Sequence, residues 1–230
     1  MYIQNNYLIL ENEYLKMKKI TGTTFVSLCD KDRFNKKGDT ILGMMGLYKS
    51  DVDPKYLRRG DLAEDIVRRT YLKYGHHPVA YDKKSVNYDN FENEPLLGGL
   101  IDLELPDEKS LIEVKSKSMS KYLEYQTYED EKEIFQGEFY AYLRNYDNFY
   151  MEWIFFDKPT EDEVFAGKKP TTLMNLKRIS KNYKVDRDLM DTLIDKAQTY
   201  RNKCYKEKRI PIEDCSSKVL QYLRDKNFLK

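Results

Sequence analysis

At 230 residues, 34% charged and 40% hydrophobic, the chain can bury a substantial core and has the composition of an ordinary soluble globular protein. No apolar run approaches the ~20 residues needed to span a bilayer, and MYIQNNYLILENEYLKMKK lacks the charged, apolar and small-residue order of a signal peptide, so a cytoplasmic protein without membrane contact is expected. With 40 basic and 39 acidic residues the net charge is +1, and any nucleic-acid binding has to come from local basic patches. Cys29, Cys204 and Cys215 are odd in number and contain no Cys-x-x-Cys pair, so neither a disulfide framework nor a zinc knuckle is indicated and reduced thiols are expected.

No internal repeat or low-complexity linker divides the chain, so one domain over residues 1–230 is expected, with a core at about 58–157 and helical additions at both ends. Tyr7, Leu8, Leu10, Tyr14 and Leu15 suggest a short strand and then a helix. Thr21-Gly22-Thr23-Thr24 reads as a turn and N-cap before a short helix, FVSLC. Residues 60–74 have a helical pattern, with Leu62, Ala63, Ile66, Val67, Thr70, Tyr71 and Tyr74 on one half of the wheel. Gly75 and Pro78 end it. Glu64 falls at the edge of that half beside Val67 and Tyr71, while Asp61, Asp65, Arg68 and Arg69 point away. His76-His77 then reads as loop.

The stretch GGLIDLELPDEKSLIEVKS carries the chemistry. Two strands, 97–105 and 110–116, joined by Pro106-Asp107-Glu108-Lys109 put Asp102 directly opposite Glu113. Opposed strand residues have β-carbons about 4.5–5.5 Å apart, and like charges there repel. Lys115 lies on the face of Glu113, two residues or ~7 Å along the strand, and offsets the repulsion. Two acids and a lysine so placed point to a divalent-metal site that handles phosphates. Residues 128–146 read as a helix, 149–156 (FYMEWIFF) as a buried strand, and KPTEDEVFAGKKPTT as a loop. A terminal helix through Leu189, Met190, Leu193, Ile194, Ala197, Tyr200 and Cys204 is capped by Asp186 and stops near Pro211. The helix between the last two strands permits a parallel crossover, so an α/β fold with a mixed sheet flanked by helices is expected.

Asp102, ten intervening residues and Glu113-Val114-Lys115 resemble the D-x(n)-E-x-K signature of the PD-(D/E)xK nuclease superfamily, which has a restriction-endonuclease-like core of helix, three strands, helix and strand. Arg58-Arg59-Gly60-Asp61-Leu62-Ala63-Glu64 is similar to the Gly-x-x-x-Glu helix of its exonuclease branch, the lambda exonuclease and YqaJ-type phage enzymes. Gln136-Gly137-Glu138-Phe139-Tyr140 is similar to that branch's Gln-x-x-x-Tyr motif, and KKITGTTFVSLC to its opening helix. The likeness covers roughly residues 13–212, and it departs from the common Pro-Asp-Gly pattern in that Ile101 and Leu103 flank Asp102.

The resemblance implies a Mg²⁺- or Mn²⁺-dependent 5′–3′ double-strand DNA exonuclease of phage or plasmid recombination. It assigns catalysis to Asp102, Glu113, Lys115 and Glu64, and the metal to Asp102, Glu113, Glu64 and the Val114 carbonyl. Gln136, Tyr140, Arg58 and Arg59 would support the site or contact DNA. It further implies a phage- or mobile-element-encoded protein, a single-strand annealing recombinase as partner, and a ring trimer. The chain has no cysteine set for the iron–sulfur cluster of some relatives, so none is expected. A same-fold endonuclease and a catalytically silent DNA- or protein-binding module remain the alternatives.

Overall fold

The computed structural model describes residues 1–11, 17–32, 34–49, 53–170 and 175–230. In chain order they form β1 (Tyr2–Gln4), β2 (Tyr7–Ile9), α1 (Gly22–Leu28), α2 (Lys37–Met44), α3 (Pro54–Lys73), β3 (Leu103–Leu105), β4 (Ser110–Ser118) and α4 (Tyr122–Thr127). There follow α5 (Glu131–Leu143), β5 (Asn148–Phe156), α6 (Lys158–Phe165), β6 (Lys177–Lys184), α7 (Arg187–Glu207), β7 (Arg209–Pro211) and α8 (Ser217–Asp225). Two compact units contain these elements, one of residues 1–50, 91–99 and 187–230, the other of residues 51–90 and 100–186.

In the first unit β1, β2 and β7 form an antiparallel sheet in that order. Asn5 and Asn6, both at positive φ, make the two-residue turn between β1 and β2, the left-handed conformation that asparagine tolerates. Helix α1 packs on α2 and α7. It starts at Gly22, three residues ahead of the expected FVSLC, because Thr21 and Thr24 cap it reciprocally, with Thr21 N donating to Thr24 Oγ1 at 2.7 Å. The helix expected around Tyr14 and Leu15 lies outside the described residues. All three cysteines are free and buried, and burial raises their thiols, Cys29 and Cys204 to about 11 and Cys215 to about 12. The turn after Pro211 leads into α8, whose N-cap Ser216 accepts from Val219 N at 3.2 Å; this helix had no place in the sequence reading.

The second unit is built on a mixed sheet, β3-β4-β5-β6, in which β4 and β5 run parallel and the outer pairs antiparallel. Strand alternation divides its side chains between two helices. Ile112, Val114, Ile154 and Phe156 join Ala63, Val67 and Tyr71 of α3 in one core. On the opposite face α5 approaches so closely that a β-carbon on Gly137 would stand 2.9 Å from the Phe149 ring. The α/β fold with helices on both sheet faces is therefore present.

Several boundaries differ for local reasons. Helix α3 begins at Pro54 because Asp53 caps it, accepting from Lys55 N at 3.0 Å, although its first turn has exposed residues and no apolar pattern. Residues 128–146 are not one helix: Asp130 caps α5, accepting from Lys132 N, and α4 precedes it as a separate helix. The supposed loop after Phe156 contains α6, capped by Asp157 through Thr160 N at 3.0 Å. Edge strand β6, KRISKNYK, escaped notice because its alternation is almost all polar.

β6 is fastened to β5 by a buried charge. Glu152 is 0% exposed and accepts two bonds from Arg178 at 2.6 Å, one from Ser180 Oγ at 2.7 Å and one from Tyr71 OH at 2.9 Å. Removing the arginine leaves a buried carboxylate without its cation. Arg178→Ala is expected to lower stability by about 3–5 kcal/mol, read by urea unfolding. A loss near zero would show that the carboxylate is not buried in solution.

Candidate active site

The hairpin register holds: Leu103 pairs with Ile112, Glu104 with Leu111 and Leu105 with Ser110. The expected strand over 97–105 is shortened to β3, which begins at Leu103. Gly98 and Gly99, the latter at φ +132°, break the extended run, and Leu97 instead bridges to Ile20. Past the last paired residue, the Asp102 side chain does what a backbone carbonyl would have done, with Oδ2 accepting Val114 N–H at 2.8 Å. The turn is a single 3₁₀ segment over Pro106–Glu108, closed by Lys109 in the left-handed conformation.

Glu113 and Lys115 project together toward α5. Glu113 is 1% exposed, and Lys115 Nζ donates to its Oε1 at 2.6 Å and to Gln136 Oε1 at 3.1 Å. The other Glu113 oxygen, Oε2, is buried without a hydrogen-bond partner. Burial first, and then the charge of Asp102, push the Glu113 carboxyl up from 4.5 to about 8. Asp102 is likewise raised by desolvation, against the pull of Lys115, Val114 N–H and Lys83. Lys115 goes the other way: although burial opposes its charge, the Glu113 and Asp102 carboxylates hold its ammonium above the ordinary lysine range.

Glu64 reaches the same charge cluster from α3. Its side chain is 25% exposed, as its place at the edge of the apolar half predicts. Desolvation and then the charge of Asp102 raise it from 4.5 to about 7. Thus Glu64, Asp102 and Glu113 lie close enough for their charges to act on one another, and Asp102 links the other two.

The remaining expected residues have varied surroundings. Gln136 touches Lys115 directly, whereas Tyr140, one turn along α5, is buried with its ring 5.6 Å from that of Phe139. The Val114 side chain belongs to the α3-facing core, and its carbonyl lies in the backbone between Glu113 and Lys115. Arg58 donates to the carbonyls of Val164 and Phe165 at the end of α6. Arg59 donates to Ser116 and pairs with buried Glu161, joining α3, β4 and α6.

Two participants had no sequence signal. Lys83, from a turn after α3, pairs with Asp61 and Glu64. Glu133, one turn before Gln136, accepts from Lys117 at 2.6 Å and from Trp153 Nε1 at 2.8 Å.

Among the described residues no three acidic, histidine or cysteine side chains converge tightly enough to form a ready metal cage. The chemistry of the donor set nevertheless fits a hard cation. An orphaned buried carboxylate oxygen, beside three acids that desolvation raises and two of which feel the charge of Asp102, forms a place where one positive ion would satisfy several groups. Among the described residues no helix is long and apolar enough to cross a membrane.

No family model matches the sequence. Two curated relatives do, uncharacterized proteins of Mycoplasma genitalium and Mycoplasma pneumoniae, each 30% identical over 112 and 111 residues. Each match spans 46% of this chain and 40% of the relative's length. Among solved structures, a phage-related exonuclease from Haemophilus somnus superposes with a TM-score of 0.59 at 13% identity, covering 86% of this chain and 97% of that one. An alkaline exonuclease from Laribacter hongkongensis gives 0.56 at 13% identity, covering 95% and 98%. The same enzyme in complex with dAMP gives 0.52. The chain has the fold of these exonucleases, as the D-x(n)-E-x-K resemblance implied.

Proposed function

We propose that the chain is a divalent-cation-dependent deoxyribonuclease that removes nucleotides from a 5′ end of linear duplex DNA in phage or plasmid recombination. The observation that carries this reading is the meeting of Asp102, just before β3, with Glu113 and Lys115 of β4, with Glu64 beside them, on a fold shared with exonucleases. Cytoplasmic action in the host cell, a ring trimer and a single-strand annealing recombinase as partner belong to the same proposal.

Asp102, Glu113, Glu64 and the Val114 carbonyl would hold Mg²⁺ or Mn²⁺. When bound, such a cation neutralises phosphate charge, activates water and stabilises the leaving oxygen. Lys115 Nζ, bonded to Glu113 and Gln136, is placed to donate to a phosphate oxygen or the attacking water. Gln136 Oε1 fixes that ammonium from the α5 side.

Two expectations follow from these assignments. On linear duplex DNA with Mg²⁺, Lys115→Ala lowers nucleotide release by about 10²–10³-fold, the scale of losing one preorganised electrostatic donor. EDTA abolishes release, closed circles resist, and a 5′ label is lost before a 3′ label. Equal release by wild type and variant overturns the assigned mechanism, and rapid cutting of circles favours the same-fold endonuclease. No DNA hydrolysis under any of these conditions favours a silent binding module.

The second concerns pH. Folding raises Glu113 from 4.5 to about 8 and Glu64 from 4.5 to about 7, so the folded chain retains protons that the unfolded chain releases in that window. Metal-free stability therefore falls as pH rises from 4.5 toward 8, and Glu113→Gln flattens the fall. Glu113 and Glu64 would release those protons on taking up a divalent cation. Calorimetry at pH ~6.5 in buffers of differing ionisation heat reads proton release by wild type that diminishes by pH ~9; equal heats in both buffers would contradict the ligand set.

A further inference from the structure

Lys83 Nζ lies 2.9 Å from Asp61 Oδ1 and 3.4 Å from Glu64 Oε1. It extends from a turn that its own side chains pin: Asp82 Oδ1 accepts Lys84 N at 3.1 Å and Ser85 N at 2.7 Å, and Ser85 Oγ donates back to the Asp82 carbonyl at 2.9 Å. The ammonium is thereby held over the acids of α3. Its charge also acts on Asp102, so the carboxylates lie between two lysines, Lys115 from β4 and Lys83 from the turn.

The two lysines differ in the freedom they have to move. Lys115 is 18% exposed and bonded both to Glu113 and to Gln136. Lys83 is 41% exposed, and Asp61, one of its two partners, is more exposed still. An ammonium on a flexible four-carbon stem in a partly exposed ion pair changes partner at small cost. Glu64, by contrast, is the half-buried acid of the pair, and a second cation reaching it competes with Lys83 for the same carboxylate.

We infer that Lys83 is a placeholder cation: it neutralises Glu64 while no metal is bound, gives way when a divalent cation enters, and then carries its charge to a phosphate of the substrate. The inference rests on the reading of Glu64, Asp102 and Glu113 as cation ligands. It couples metal entry to phosphate binding through one side chain, a coupling that acts equally in both directions.

Lys83→Gln and its exposed neighbour Lys84→Gln make the same change in net charge. Calorimetric titration with Mn²⁺ alone is expected to show Lys83→Gln binding the ion about five-fold more tightly than wild type, the equivalent of one partly exposed ion pair, with Lys84→Gln matching wild type. Fluorescence anisotropy with labelled duplex DNA supplies the second half. Lys83→Gln weakens binding more in Ca²⁺ than in EDTA, while Lys84→Gln shows an equal effect in both. Mn²⁺ affinity unchanged or weakened in Lys83→Gln, or equal behaviour of the two variants, overturns the placeholder role and leaves the nuclease reading intact. Failure of wild type to bind Mn²⁺ at all overturns the ligand assignment and the placeholder role with it.

Discussion

Glu113 has a buried carboxyl group with one oxygen on Lys115 and the other on nothing, beside a second acid, Asp102, whose charge it feels. Removing such a group from water is costly unless it is paired on all sides, and here the pairing is incomplete. The surrounding elements make sense as the means of holding this arrangement. Strand β4 is the inner member of three paired strands, β3 on one side and the parallel β5 on the other, so the backbone that carries Glu113 is fixed. Helix α5 closes the face above it through Gln136, and Gly137 allows the close approach that brings Gln136 within reach.

Much of this arrangement was legible because it is local. Asp102, Glu113 and Lys115 lie within one hairpin, and a register fixed by the turn together with strand period 2 suffices to place them. Glu64 was legible from the helical wheel, since its half burial follows from its position relative to Val67 and Tyr71. What the sequence hid depends on chain paths between distant segments. Lys83 meets Glu64 because a turn 19 residues further on folds back, and no periodicity reports that. Arg59, which the resemblance makes a supporting or DNA-contacting residue, has its guanidinium on Glu161, 102 residues later, a partner that no local pattern reports. Strand β6 was hidden for another reason: an edge strand whose apolar residues are only Ile179 and Tyr183 lacks the apolar face that pattern reading needs.

Three of the five buried glutamates in the second unit show how saturated and unsaturated buried charge differ. Glu152 receives four hydrogen bonds, two of them from one guanidinium, and both its oxygens are filled. Glu104 accepts from Tyr81, Tyr146 and Arg144, again on both oxygens. Each fastens strands to flanking elements and has no oxygen to offer a ligand. Glu113 is equally buried but only half satisfied.

Glu152 is also the β5 partner of Val114, the residue between Glu113 and Lys115. Because neighbours along a strand point to opposite faces, the sheet at this point holds a fully satisfied carboxylate toward α3 and a half-satisfied one toward α5. The saturated side resists deformation, since any shift of β5 against β6 would strip donors from a buried charge. The unsaturated side is therefore held on a rigid backing, with an oxygen left open where burial raises the neighbouring acids as well. A fold that needed Glu113 for stability alone would gain by filling that oxygen, as it does for Glu104 and Glu152. Leaving it open costs stability that binding a cation would return, which is why the orphan oxygen, more than the D-x(n)-E-x-K spacing, makes this part of the sheet the candidate site.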